Sequence, residues 1–433
     1  MQGPFVPRSN PVVRIILLVS CAHALVHLLE QSIASVEQVI STEFTLSFKQ
    51  SGFLGSALRL PYGIGAFFAG LLADRFGEKR ILVLYLFGSA VVSVSFVASG
   101  GASAIYCQLF AMGAFASMYH PAGLSLLAHE TTPQTRSRAL GIHGIFGSLG
   151  IASAPFLAGL MLSVRPGDWR GYYLLLGLVS FVLAILVWTL LQPKVRSVVA
   201  DRRPADTGDP NSATADGQPQ DALSHESTLR FQLWPYTVLV LGTALGGTIY
   251  GAVLHFLPRY LKESGALAPL EGLVGQPIAA EALGNYAAAL ALICGAFGQW
   301  TAGRLAKPRS LPLLLSVVYL ANIPFLVWMT FAEGWQRLLA ASLWSFVHFM
   351  NQPLYNSLIP EFLPRRRLSV GFGFSNMMGF GVGAFGPPLV ALFDERFADY
   401  TFSYSALAVL AFVAALLPLP LMFRKFAQRE FDA

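Results

Sequence analysis

HALVHLLEQ, residues 23–31, places His23, His27 and Glu30 inside an otherwise apolar run. At about 100° per helical residue, His27 lies about 40° from His23 and Glu30 about 20° to the other side; Glu37 continues the same stripe. An ionised group at mid-membrane depth costs about 2.5–3.5 kcal/mol even on lenient scales, so such a stripe should face a cavity or a partner. Two chemistries suit it. A carboxylate with neighbouring imidazoles can take up and release a proton: burial disfavours its charged form and a nearby cation favours it. Alternatively, imidazoles four residues apart make half of a transition-metal site. His23, His27 and Glu30 would then be joined by His120, with no Cys or Asp among the ligands.

The candidate partners follow from depth. Arg59, in SALRLPYG, lies ten residues from the outer end of its apolar run, as Glu30 does in its own. Opposite charges at matched depth on neighbouring helices predict an ion pair, which offsets part of the desolvation cost. His23, His120 and His143 also fall at similar depths and are expected to share a layer.

The whole chain places these residues in lipid. Of 433 residues 55% are hydrophobic and 12% charged, against about 25% charged in a soluble chain. A bilayer core of about 30 Å needs roughly 20 helical residues. Apolar runs predict twelve spans, at 13–40, 49–72, 81–99, 102–128, 138–163, 171–192, 233–261, 280–303, 311–331, 336–360, 368–393 and 402–423. The first reads as a retained span and not a signal peptide. Cys21, Cys107 and Cys294 are far apart in apolar segments, so no disulfide framework is implied.

Residues 195–230 are polar and rich in Asp, Pro, Gly and Ser. The expected organisation is a six-helix bundle over 1–192, a disordered cytoplasmic linker over 193–232 and a second bundle over 233–433. If the N-terminus is inside, 21 of the 29 Lys and Arg residues are cytoplasmic, seven are outside, and Arg59 is within a span. The bias puts both termini in the cytoplasm. It also accounts for the net charge of +6 without nucleic-acid binding.

The halves echo each other at a shift of about 232 residues. HPAGLSLLA (120–128) aligns with QPLYNSLIP (352–360), and GIASAPFLAG (150–159) with VGAFGPPLVA (382–391), setting Pro121 on Pro353 and Pro155 on Pro387. Parallel repeats of this kind place a substrate site at their interface near the midplane. GVGAFG (381–386) meets the G-x-G-x-x-G pattern but no strand precedes it, so it reads as helix packing. No Walker-type phosphate loop and no hydrolytic constellation occur, so neither ATP drive nor an enzyme is expected.

GLLADRFGEKR (70–80) resembles the G-x-L-A-D-R-x-G-R-K loop of the major facilitator superfamily, with Glu78 where a basic residue is usual. The resemblance implies an all-α membrane fold of twelve helices in two pseudo-symmetric bundles. Asp74 and Arg75 would be gating residues, with Gly70 and Gly77 allowing tight backbone packing. In the second half Lys307 stands where the acid would be. HLLEQSIASVEQVISTEFTLSFKQSGFL (27–54) and residues 119–160 are similar to fosmidomycin-resistance-type exporters. GIASAPFLAG resembles an antiporter motif, with Ala154 and Ala158 replacing glycines.

In that superfamily the first, fourth, seventh and tenth spans line the central cavity. The resemblance therefore assigns His23, His120, Tyr250, His255, His348, Asn351 and Gln352 to a substrate cavity; the buried charges themselves assign Glu30, His27 and Arg59 to proton coupling. The expectation is proton-coupled efflux of a small organic molecule by a monomer in the inner membrane, without a cofactor. Uptake of an anionic metabolite, or transport of a divalent metal, remain the alternatives.

Overall fold

In the computed structural model, residues 11–192, 232–269, 271, 277–306, 310–363, 368–397 and 400–423 are described; the linker expected over 193–232 lies, save Gln232, outside them. These residues are mostly helical, joined by short turns, with no strand among them. Helices α1 (Pro11–Glu43), α2 (Phe48–Phe76) and α3 (Glu78–Ser95) are followed by α4 (Ala102–Ala116) and α5 (Tyr119–Glu130). Then come α6 (Pro133–Val164) and α7 (Trp169–Leu190). After the linker run α8 (Leu233–Lys262), α9 (Ala280–Leu305), α10 (Leu311–Phe331), α11 (Trp335–Phe349) and α12 (Asn351–Phe362). The last are α13 (Leu368–Gly383), α14 (Gly386–Phe397) and α15 (Tyr400–Leu416).

Among the described residues, ten segments are long and apolar enough to cross a membrane. The two other predicted spans, the fourth and tenth, are each divided: α4 and α5 meet at Ser117–Met118, and α11 and α12 at Met350. The cause is the repeated proline. Pro121 and Pro353 lack the N–H that would bond back to residues 117 and 349, and their rings crowd that turn. The second repeated proline behaves differently in its two copies. Pro155 stays within continuous α6, whereas the helix breaks at Ala384–Phe385 ahead of Pro387. Gly383, Gly386 and a second proline, Pro388, flank that copy, and each weakens a helix.

One apolar core is built from residues between Ile15 and Leu191, and two more from residues after Gln232 together with Ile151 and Ala152. Large apolar side chains such as Phe68, Leu178, Phe297 and Val409 remain exposed around the outside. Lipid covers such a belt, whereas water would not tolerate it.

The halves meet along α2–α13, α6–α9 and α1–α8. At the α2–α13 crossing the backbones nearly touch: a Cβ on Gly63 would overlap the Gly381 amide. Small residues let helices approach this closely. The bundle end where α1 stops and α2 starts is termed the upper end here; the α2–α3 turn marks the lower end.

Candidate functional site

Glu30 sits in the middle of α1 and is wholly buried. Its Oε1 accepts a hydrogen bond from Arg59 Nη1 at 2.8 Å, and its Oε2 lies 2.9 Å from His27 Nδ1. Arg59, on α2, is 3% exposed. Matched depth on adjacent helices is what brings the two charges together. Beside Glu30, Gln31 Nε2 donates to the Tyr250 hydroxyl of α8 at 3.0 Å, and the Arg59 guanidinium lies 5.1 Å from the Tyr250 ring centre. A carboxylate, a guanidinium and an imidazole thus form one buried unit that reaches the second half through Tyr250.

Behind this unit the histidines stack. The rings of His23 and His143 are 3.8 Å apart and nearly parallel, and His23 Nδ1 donates to the His143 carbonyl at 2.7 Å. The single hydroxyl proton of Tyr119 goes to the Val19 carbonyl at 2.7 Å, so His143 Nε2, 2.9 Å away, must donate to the Tyr119 oxygen. His120 packs 5.3 Å from His23 and 5.4 Å from His27, ring centre to ring centre.

In front of it lies a cavity of about 80 Å³ between the halves. His27, Tyr250, Gln299, Tyr319, His348, Asn351, Gln352, Asn376 and Phe380 are among its walls. Several of its polar groups are held by neighbouring side chains. His348 Nδ1 pairs with Asn322 Oδ1 at 3.0 Å, Gln299 Nε2 donates to Gln352 Oε1 at 2.7 Å, and Ser148 donates to Gln299 across the halves. Among the described residues, the lining carries no carboxylate and no Lys or Arg.

Four of the seven residues assigned to the cavity, Tyr250, His348, Asn351 and Gln352, line it; His23, His120 and His255 do not. His23 and His120 lie one layer behind His27. His255 is five residues beyond Tyr250, about 140° round α8, so it faces α2 instead. There its Nε2 pairs with the Ser51 carbonyl at 2.9 Å.

His255 belongs to a closure of the upper end. Arg259 of α8 donates through Nε and Nη2 to the two oxygens of Glu37 at 2.8 and 2.7 Å, and Ser51 Oγ donates to Glu37 at 2.5 Å. Asn285 of α9 donates to the Ser35 carbonyl at 2.8 Å, and Ser56 to the Ala384 carbonyl at 2.6 Å. Sequence reasoning placed Glu37 on the polar stripe but did not find Arg259, Ser51 or Asn285. Arg259, near a helix end, read as an ordinary flanking charge, and its partner is 222 positions away.

At the lower end Asp74 and Arg75 are exposed and, among the described residues, form no ion pair with the second half. Gly70 is in ordinary contact with Pro121. Gly77 was expected to permit close packing, but nothing lies near it; its φ of +86° is the reason for glycine, letting α2 turn directly into α3. Glu78, the departure from the loop pattern, accepts from Ser125 Oγ and pairs with His129 Nδ1, both at 2.9 Å, tying α3 to α5.

A helical repeat enclosing a buried charge unit beside an interface cavity is the architecture of a secondary transporter. The Major Facilitator Superfamily profile matches residues 19–387, and the chain belongs to that family. It is therefore a membrane transporter of a small molecule and not an enzyme. It is 25% identical to a probable sulfoacetate transporter of Cupriavidus necator, covering 89% of this chain and 88% of the relative. It is 26% identical to the tetracenomycin C resistance and export protein of Streptomyces glaucescens, over 36% of this chain and 29% of that one. The fold matches a bacterial homolog of the human lysosomal transporter Spinster, crystallised inward-facing and occupied, with a TM-score of 0.69 at 16% identity, covering 97% of this chain and 98% of that one.

Proposed function

We propose that the protein is a proton-coupled antiporter that exports a small organic molecule by alternating access, with Glu30 as the proton-carrying group. The observation that carries this reading is the sharing of one buried carboxylate between Arg59 and His27 while Arg59 also borders Tyr250 of the second half. Ionised, Glu30 holds the Arg59 charge away from the cavity. Protonated, it releases that charge toward Tyr250 and the cavity wall. The charge state of one carboxyl then alters both the solute site and a contact between the halves. In this mechanism His27 orients the carboxylate through Nδ1.

The upper closure by Glu37 and Arg259 and the exposed Asp74–Arg75 turn support assigning this conformation to a state open toward the lower end. With the basic-residue bias, that end faces the cytoplasm of a cell bounded by this inner membrane, and both termini lie there. The lower-end residues Gly70, Asp74, Arg75 and Gly77 would close in the opposite state. Two bundles, over 1–192 and 233–433, would rock about the site within a single working chain.

One proton crossing about 100 mV releases about 2.3 kcal/mol. At about 1.4 kcal/mol per tenfold, that sustains a roughly forty-fold solute gradient. A cavity without a charged wall, carrying Tyr250, Tyr319, Phe380 and amides, suits an uncharged or aromatic solute.

A second reading, uptake of a small anion with protons, is favoured by the likeness of most of the chain to the probable sulfoacetate transporter. Arg59, freed when Glu30 is protonated, would bind the anion. Proteoliposomes exposed to a compound panel separate the two. Accumulation driven by an acidic interior supports antiport; accumulation driven by an alkaline interior supports symport. Transport indifferent to the pH gradient in either direction rejects proton coupling.

A further inference from the structure

The imidazole cluster holds more donor capacity than proton coupling uses. His23, His27 and His120 each offer a ring nitrogen, and the three atoms lie within 4.8 Å of one another. A tetrahedral ion with bonds of about 2.0–2.1 Å spaces its nitrogen ligands about 3.3 Å apart. Closing the triangle takes shifts of at most about 1.5 Å, within reach of small ring rotations.

The orientation of the rings is already set. His23 donates its Nδ1 hydrogen to the His143 carbonyl, which leaves Nε2 with a free lone pair. His27 faces the Glu30 carboxylate through Nδ1, which likewise leaves its Nε2 as the lone-pair nitrogen. A carbonyl or carboxylate on the far nitrogen is what fixes tautomer and basicity in metal-ligating histidines. A packing histidine such as His255 makes a similar bond to a carbonyl, so what sets this cluster apart is the convergence of three ring nitrogens.

Two unsatisfied groups point the same way. His120 Nε2 and the Tyr62 hydroxyl are both buried with no hydrogen-bond partner, and their rings are 6.1 Å apart. An orphaned polar atom in a dry interior is costly, so each calls for something to bind. Access also exists: His27 is part of the cavity wall, and the Phe380 ring separates His120 from the same space. Gly147 of α6 leaves room for the His23 ring, since a Cβ there would overlap it.

We propose that His23, His27 and His120 form a three-imidazole site for a divalent first-row transition ion such as zinc, with its open coordination position toward Tyr62 and the cavity. Glu30 and the His143 carbonyl are the outer partners that hold the ligand rings. The site stands on ligand geometry and holds whichever solute the cavity carries and in whichever direction.

The test uses untagged full-length protein in detergent, titrated with Co²⁺. Binding here should give the visible bands of tetrahedral cobalt, saturating at one ion per chain and displaced by Zn²⁺. His23→Ala and His120→Ala should abolish the bands, and Glu30→Gln should weaken binding by about 10–100-fold. His129→Ala, at an exposed histidine of α5, should bind as the parent does. X-ray absorption on the zinc-loaded parent protein, which depends on no variant, should show three imidazole ligands. Failure of the parent to bind cobalt, bands that persist in the His23→Ala/His120→Ala double variant, or oxygen-only coordination would each overturn the assignment. Proton coupling is read separately, from transport, so loss of either idea leaves the other standing.

Discussion

Arg259 grips both oxygens of Glu37 from the opposite half of the chain, at 2.8 and 2.7 Å, with Glu37 fully buried. The side-by-side geometry is that of the strongest protein ion pairs. It joins the first helix of one half to the first helix of the other at the upper end, and Ser51 of α2 adds a third donor. Removing one partner of a buried pair costs about 3–5 kcal/mol because the other charge is left uncompensated, so loss of Arg259 should disfavour the closed upper end.

Arg259→Gln should therefore open the upper end. Spin labels at Thr42→Cys and Ala268→Cys, in a background with the three native cysteines replaced, report the separation of the end of α1 from the turn that follows α8. The parent should give one short distance, and Arg259→Gln should add a longer one. A distribution identical to the parent's would mean that the pair does not hold the end shut.

Glu30 and Arg59 should be more costly to separate than to replace together. Glu30→Gln or Arg59→Gln alone leaves one buried charge without its main partner and should cost about 3–5 kcal/mol. The double variant leaves neither and should recover most of that loss. Thermal unfolding in detergent gives the comparison. Single losses that simply add in the double variant would show that the two side chains act independently.

Tyr250→Phe removes only the hydroxyl that accepts from Gln31. Losing one hydrogen bond is worth about 0.5–1.5 kcal/mol, or a roughly two- to tenfold effect. It should appear in the transport rate with little change in unfolding temperature. A change in stability without a change in rate would confine Gln31–Tyr250 to packing.

Gly63→Val should force α2 and α13 apart, because even a Cβ overlaps the Gly381 amide. Overpacking of this kind costs about 1–3 kcal/mol. Gly144→Val on α6, where nothing lies near the glycine, is the control. A lower unfolding temperature is expected for the Gly63 variant relative to the Gly144 variant, and equal temperatures would contradict the close crossing.

Much of the architecture was legible because lipid imposes it. Apolar runs of bilayer length mark the helices, but they predict continuous spans at 102–128 and 336–360, and the breaks at Ser117–Met118 and Met350 were not anticipated from the repeated proline. The meeting of Glu30 and Arg59 was legible too, since depth along two adjacent antiparallel helices is a matter of counting. Facing was not. His255 lies on a cavity-lining helix, yet its position about 140° round from Tyr250 turns it to α2, and only the packing of the halves decides which stripe of α8 is central. Arg259 was missed for the same reason. Pro387 breaks its helix where Pro155 does not, because the outcome depends on neighbouring glycines as well as on the proline.

Antiport requires that Glu30 couple proton movement to solute movement. The direct measurement compares the parent with Glu30→Gln in proteoliposomes, using a solute identified on the parent, in two assays. One is exchange of labelled for unlabelled solute at equal pH; the other is accumulation driven by a pH gradient. The variant should keep exchange, since a permanently neutral side chain needs no proton for the halves to rock with solute bound, and lose pH-driven accumulation. Accumulation in Glu30→Gln at the parent's level would contradict the account.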